Sequence, residues 1–74
     1  MSKLPVLSGK DVCKIMGRIG YVIDHQTGSH IILRNSIPPF RRLTIPNHRE
    51  LAKGTLRAII KQAGITVEEL RGLS

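Results

Sequence analysis

Tyr21-Val22-Ile23-Asp24-His25-Gln26-Thr27-Gly28-Ser29-His30-Ile31-Ile32-Leu33-Arg34 is the stretch that decides the fold. Aromatic and β-branched residues flank a Thr-Gly step, the composition of two strands folded back on a tight turn. The pattern predicts a strand over 21–26, a turn at Thr27-Gly28 and an antiparallel partner over 29–34. Side chains alternate along a strand, so Ile31 and Leu33 share one face of the second strand, and His30, Ile32 and Arg34 share the other. The first face is oily; the second mixes imidazole and guanidinium with one isoleucine. His30 thus begins an apolar strand. Buried and neutral, it would need a hydrogen-bond partner; exposed beside cations, a histidine is a proton-transfer group near pH 7 where phosphate collects.

Working outward, Asn35 to Pro39 reads as a loop, because two consecutive prolines cannot continue a ladder. A third strand follows over 40–45, with Leu43 and Ile45 opposite Arg42 and Thr44. If Leu43 and Ile45 join the core, Arg42 falls on the side of His30 and Arg34. Upstream, Ser8 with Asp11 three residues on is a capping signature, and Val12, Ile15, Met16 and Ile19 recur at helical spacing up to Gly20. That predicts a helix over 9–19. Downstream, Pro46-Asn47-His48 ends the third strand, residues 47–54 form a polar connection, and a second helix runs over 55–63 with Leu56, Ile59, Ile60 and Ala63 inward. Gly64 stops it. Thr66 with Glu69 opens a short last helix over 66–73. Helix, three antiparallel strands, helix and short helix make an α+β fold, with both long helices on one sheet face. One domain is expected over 1–74, without repeats or linkers.

Twelve Lys and Arg against five Asp and Glu leave a net charge of +7. A small chain with this imbalance is suited to a polyanion, and nucleic acid is the leading partner class. Aromatics at 3% leave the core to Ile, Leu and Val. The single cysteine, Cys13, can form no internal disulfide and cannot complete a zinc set with His25, His30 and His48, so neither a metal nor another cofactor is expected. Cys13 reads as an apolar filler or a partly exposed helix residue. No stretch approaches the roughly 20 apolar residues of a membrane span, and Met1 to Leu7 is too short for a secretory core, so a cytoplasmic location without membrane contact is expected.

The basic footprint comprises Arg34, Arg42, Lys53, Arg57 and Lys61. Lys53 and Gly54 precede the second helix, whose first N–H groups and dipole suit a phosphate. Arg57 and Lys61 read equally well as a solvated face that complements the dipole near the helix end. Arg41-Arg42, beside an apolar loop, suits RNA or acidic side chains of a protein partner. His25 reads as a strand residue and nothing more.

Ser8-Gly9-Lys10, Gly20-Tyr21-Val22, Gly28-Ser29-His30, Thr44-Ile45-Pro46-Asn47-His48 and the run Gly54-Thr55-Leu56-Arg57 to Lys61-Gln62-Ala63-Gly64-Ile65 occur in order across nearly the whole chain. With these segments the chain resembles the HicA toxin family, small messenger-RNA interferases of bacterial and archaeal toxin–antitoxin pairs. The resemblance implies a double-stranded-RNA-binding-domain-like fold, metal-independent endoribonuclease activity on mRNA with the histidine of Gly-Ser-His, here His30, as catalytic residue, and neutralisation by a HicB antitoxin. The sequence departs from the common pattern at Thr27, where Lys is frequent, at Ile31, where a second His often follows, and in the more apolar loop 36–40. These differences bear on substrate contacts and activity level.

Metal-free ribonucleases use the RNA's own 2′-hydroxyl as nucleophile, so the protein must take that proton, give one to the leaving 5′-oxygen and offset charge on the phosphate. His30 is cast as the base, with the acid role as variant. Ser29 and the backbone at Gly28 hold the phosphate, since glycine lets it approach closely. His48, in its matching Pro-Asn-His segment, is a candidate phosphate contact. Arg34, Arg42, Lys53, Gly54, Arg57 and Lys61 complete the expected RNA contacts, Lys53 and Gly54 also by analogy with double-stranded-RNA-binding folds. Two alternatives stand beside this reading: a non-catalytic RNA-binding module on the same basic face, or a protein-interaction subunit anchored by Tyr21, Ile37 and Phe40.

Overall fold

In a computed structural model that describes residues 3–74, the elements follow the order α1 (Gly9–Gly17), β1 (Tyr21–Thr27), β2 (His30–Asn35), β3 (Arg42–Pro46), α2 (Lys53–Ala63) and α3 (Val67–Leu73). This is the expected α+β arrangement. α1 starts where the sequence placed it because Ser8 and Asp11 close a capping box. The Ser8 hydroxyl accepts from the Asp11 N–H at 3.0 Å, and the Ser8 N–H donates to the Asp11 carboxylate at 3.1 Å. α1 ends two residues before the expected Ile19. The chain leaves the helix through Arg18 and turns at Gly20, whose φ of 98° few other residues adopt.

The Ser8 N–H holds the Asp11 carboxyl below the ordinary aspartate range, helped by the Ser8 hydroxyl against the opposing desolvation, with Lys14 the weakest contributor. A carboxyl whose folded pKa is depressed stabilises fully above its unfolded value of about 3.9, and loses that stabilisation as pH falls through the lower folded value. Asp11→Asn is therefore expected to flatten the acid limb of the stability profile below about pH 4, read from denaturant melts at successive pH values. An unchanged limb would exclude the box from acid unfolding.

α2 begins two residues earlier than expected. Ala52 occupies the N-cap and offers no side-chain bond, so the sequence carries no hydroxyl to mark the start, and Thr55 lies inside the helix. At the other end Gly64 adopts φ 74° and its N–H returns to the carbonyls of Ile60 and Lys61, the left-handed stop that glycine favours. Thr66 caps α3 from outside, again in a box with Glu69.

The sheet order is β1-β2-β3, antiparallel throughout. Thr27 pairs with His30, so the turn residues are Gly28 and Ser29 rather than Thr27 and Gly28. Gly28 takes φ 50°, at the first of two turn positions, where a hairpin accepts glycine readily. β3 starts later than expected because Phe40 has φ 59°, outside any ladder, and it extends to Pro46, which pairs with His30. Ile31, Leu33, Leu43 and Ile45 form the inner sheet face. Against them pack Val12, Ile15 and Met16 of α1 and Leu56, Ile59 and Ile60 of α2, with Tyr21, Leu51 and Leu70 completing the core. Both long helices therefore cover one face. Tyr21 is only 4% exposed, which removes it as an anchor for a partner, whereas Ile37 and Phe40 stand out at 59% and 54%. Cys13 is half-buried against the core, and burial pushes its thiol up, away from reactivity.

Candidate active site

The sheet face away from the helices is laid out in rows. At the turn end lie Thr27, His30 and Pro46; the next row is His25, Ile32 and Thr44; the third is Val22, Arg34 and Arg42. Successive rows are two residues apart, about 6.6 Å. The structure thus brings His30, Arg34 and Arg42 onto one face, as side-chain parity requires, with the arginines about 13 Å from the histidine. His30 is exposed, as are Gly28 and Ser29.

Three main-chain bonds hold the β3–α2 connection, one to the β1–β2 turn and two to the start of α1 and the residues before it. The Asn47 N–H donates to the Ser29 carbonyl at 2.6 Å, the Gly9 N–H to the His48 carbonyl at 2.9 Å, and the Leu51 N–H to the Leu7 carbonyl at 2.9 Å. A Cβ on Gly9 would overlap the Pro46 carbonyl oxygen, which explains why the start of α1 is Ser-Gly-Lys: only glycine lets the helix approach so closely. His48 is thereby held at the same end as Ser29, with its side chain exposed. Ser8, Lys10, Asn47, His48 and Arg49 line one shallow groove there. Lys10 and Arg49 add two cations to those expected from the sequence, and only Lys10 stands in a motif segment, Ser8-Gly9-Lys10.

Other expected contacts are not brought to this face. Lys53, Gly54, Arg57 and Lys61 belong to α2, in the helical layer behind the sheet. Lys53 and Gly54 form its first turn instead of preceding it, and Lys53 and Arg57 line a second groove with Lys3 and Leu4. Arg41 and Arg42 part company. The Arg41 guanidinium donates to the Gln62 carbonyl at 3.2 Å, at the end of α2, while Arg42 joins the open face.

A feature that sequence did not disclose lies in β1. Its register shifts between Ile23 and His25, leaving Asp24 as the unpaired residue of a β-bulge. Under strict alternation His25 would point toward the helices; the bulge turns it to the open face, opposite Ile32. There Nδ1 of His25 lies 2.8 Å from an Asp24 carboxylate oxygen. This bond holds the Asp24 carboxyl below its ordinary range against the opposing desolvation, with weaker pulls from Arg34 and Arg42.

Among the described residues, no three His, Cys, Asp or Glu side chains stand close enough to hold one metal ion. No described helix is long and apolar enough to cross a membrane. No curated protein sequence matches the chain. A family model described as the HicA toxin of bacterial toxin–antitoxin systems matches residues 9–65, from the close-approach glycine of α1 through the whole sheet to the segment after α2. On that match the chain belongs to the HicA toxin family.

Proposed function

We propose that this toxin cleaves messenger RNA by assisting attack of a 2′-hydroxyl on the adjacent phosphorus, with His30 as general base and no metal, and that a HicB-type antitoxin holds it in check in the cytoplasm. The observation that carries the reading is an exposed imidazole on an uncovered sheet face that also presents Arg34 and Arg42, in a chain of this family. Imidazole is the side chain suited to moving a proton near neutral pH, whereas guanidinium stays charged and serves the phosphate. Gly28 and Ser29, exposed at the turn beside His30, would hold the scissile phosphate, with His48 adjoining through the Asn47 to Ser29 bond. Lys53, Gly54, Arg57 and Lys61 would contact the strand farther from the cut, in the helical layer. The exposed Ile37 and Phe40 offer the antitoxin an apolar foothold remote from His30.

The test is incubation of the purified protein, in EDTA, with single-stranded RNA and with the same strand lacking its 2′-hydroxyls. RNA is expected to be cut, leaving a 2′,3′-cyclic phosphate and a 5′-hydroxyl, while the deoxy strand stays whole. Scission of the deoxy strand, or intact RNA after long incubation, would sink the proposal. Binding without cutting, weakening with salt as counterion release requires, would leave the non-catalytic module in its place.

A further inference from the structure

Seven residues of β1 oppose six of β2, and the surplus residue is Asp24. Of the five acidic residues, Asp24 alone lies in a strand, and its strand face carries His30, Arg34 and Arg42. A carboxylate at this place repels the polyanion that the face would otherwise attract. What it does instead is accept a hydrogen bond from Nδ1 of the neighbouring His25 at 2.8 Å. An ionised carboxylate has no proton to give, so the Nδ1 proton belongs to the ring. Nε2 is left free on a side chain that is 51% exposed. A carboxylate behind an imidazole fixes its tautomer and stabilises the imidazolium, the form that can donate a proton. His25 faces Ile32 while His30 faces Thr27, so the two residues are diagonal neighbours across β1 and β2, about 7–8 Å apart. Two imidazoles that each reach an opposite apical oxygen of one phosphorus, at about 2.6–3.2 Å, require a separation of this kind rather than contact.

We infer that His25, held by Asp24, is the general acid of RNA cleavage and the partner of His30; the inference rests on the reading of His30 given above. His30 takes the proton of the 2′-hydroxyl as the bond from that oxygen to phosphorus forms. The bond from phosphorus to the 5′-oxygen breaks, and the departing oxygen receives the proton on Nε2 of the His25 imidazolium. The products are a 2′,3′-cyclic phosphate and a 5′-hydroxyl; His30 ends protonated and His25 neutral, and exchange with water restores both. Asp24 is a positioning residue, acting only through His25.

The test uses the full chain and an RNA oligonucleotide that the wild-type protein cuts, made also with sulfur in place of the bridging 5′-oxygen at the cut linkage. A thiolate departs without protonation, so this substrate needs no acid. His25→Ala is expected to slow cleavage of ordinary RNA on the order of 10²-fold or more, yet to cut the sulfur-bridged linkage at nearly the wild-type rate. Asp24→Asn follows the same pattern with a smaller loss, and His30→Ala is slow on both substrates. Wild-type speed of His25→Ala on ordinary RNA, or equal slowing on the two substrates, overturns the acid assignment while leaving His30 untouched. If wild-type protein cuts no RNA, or His30→Ala cuts at full rate, the reading of His30 fails and the acid assignment falls with it.

Discussion

His30→Ala is expected to lower the rate of RNA cleavage by roughly 10²–10⁴-fold, the usual contribution of a positioned acid or base, and to abolish growth arrest when the toxin is expressed without its antitoxin. The fold should survive. His30 meets Thr27 and Pro46 through main-chain positions of the ladder, which alanine occupies equally well, and its side chain is exposed outside the core. Circular dichroism and denaturant midpoints of the variant should therefore match the wild-type protein while the single-turnover rate collapses. Because the imidazole would act in the transition state more than in binding, the loss should fall mainly on kcat and leave RNA affinity nearly intact. Affinity should respond instead to Arg34 and Arg42, through phosphate charge. A His30→Ala protein that still cuts RNA and still arrests growth would remove His30 from the chemistry.

The sequence made visible whatever is governed by local chemistry. The boxes at Ser8 and Thr66 announced their helices because a hydroxyl and a carboxylate three residues apart satisfy the same end wherever they occur. α2 carries no such mark at Ala52, and it starts two residues before the position its sequence suggests. The faces of β2 followed from parity alone, and with them the company of His30, Arg34 and Arg42. The turn lies one residue later than expected because Thr-Gly-Ser composition allows two placements, and only pairing of Thr27 with His30 chooses between them. The Asp24 bulge was invisible for a deeper reason. It arises from a count of residues between two strands, which no window along one strand contains, and it reverses the direction that parity gives His25. Likewise nothing in Arg41-Arg42 foretells that one guanidinium caps the end of α2 and the other faces solvent over the sheet.

Leu33→Ala and Ile32→Ala, adjacent in the chain, are expected to differ sharply. Leu33 is 1% exposed, pairs with Leu43 across the inner face and lies beneath both long helices. Its truncation should cost about 2–5 kcal/mol, the sum of lost transfer energy and the cavity left behind. A 74-residue domain has a total stability of roughly 4–11 kcal/mol, so this one change should consume much of it and shift the denaturant midpoint far toward water. Ile32 is half-buried on the open face between His25 and Thr44, where no helix covers it. Its truncation should cost under about 1.5 kcal/mol, because the neighbouring side chains and water can close over the gap. The contrast follows from register: a slip of one residue would exchange the two positions and turn His30 and Arg34 into the core. Equal losses for the two variants, or a larger one for Ile32→Ala, would therefore refute the face assignment, and with it the placement of His30, His25 and the two arginines on a common surface.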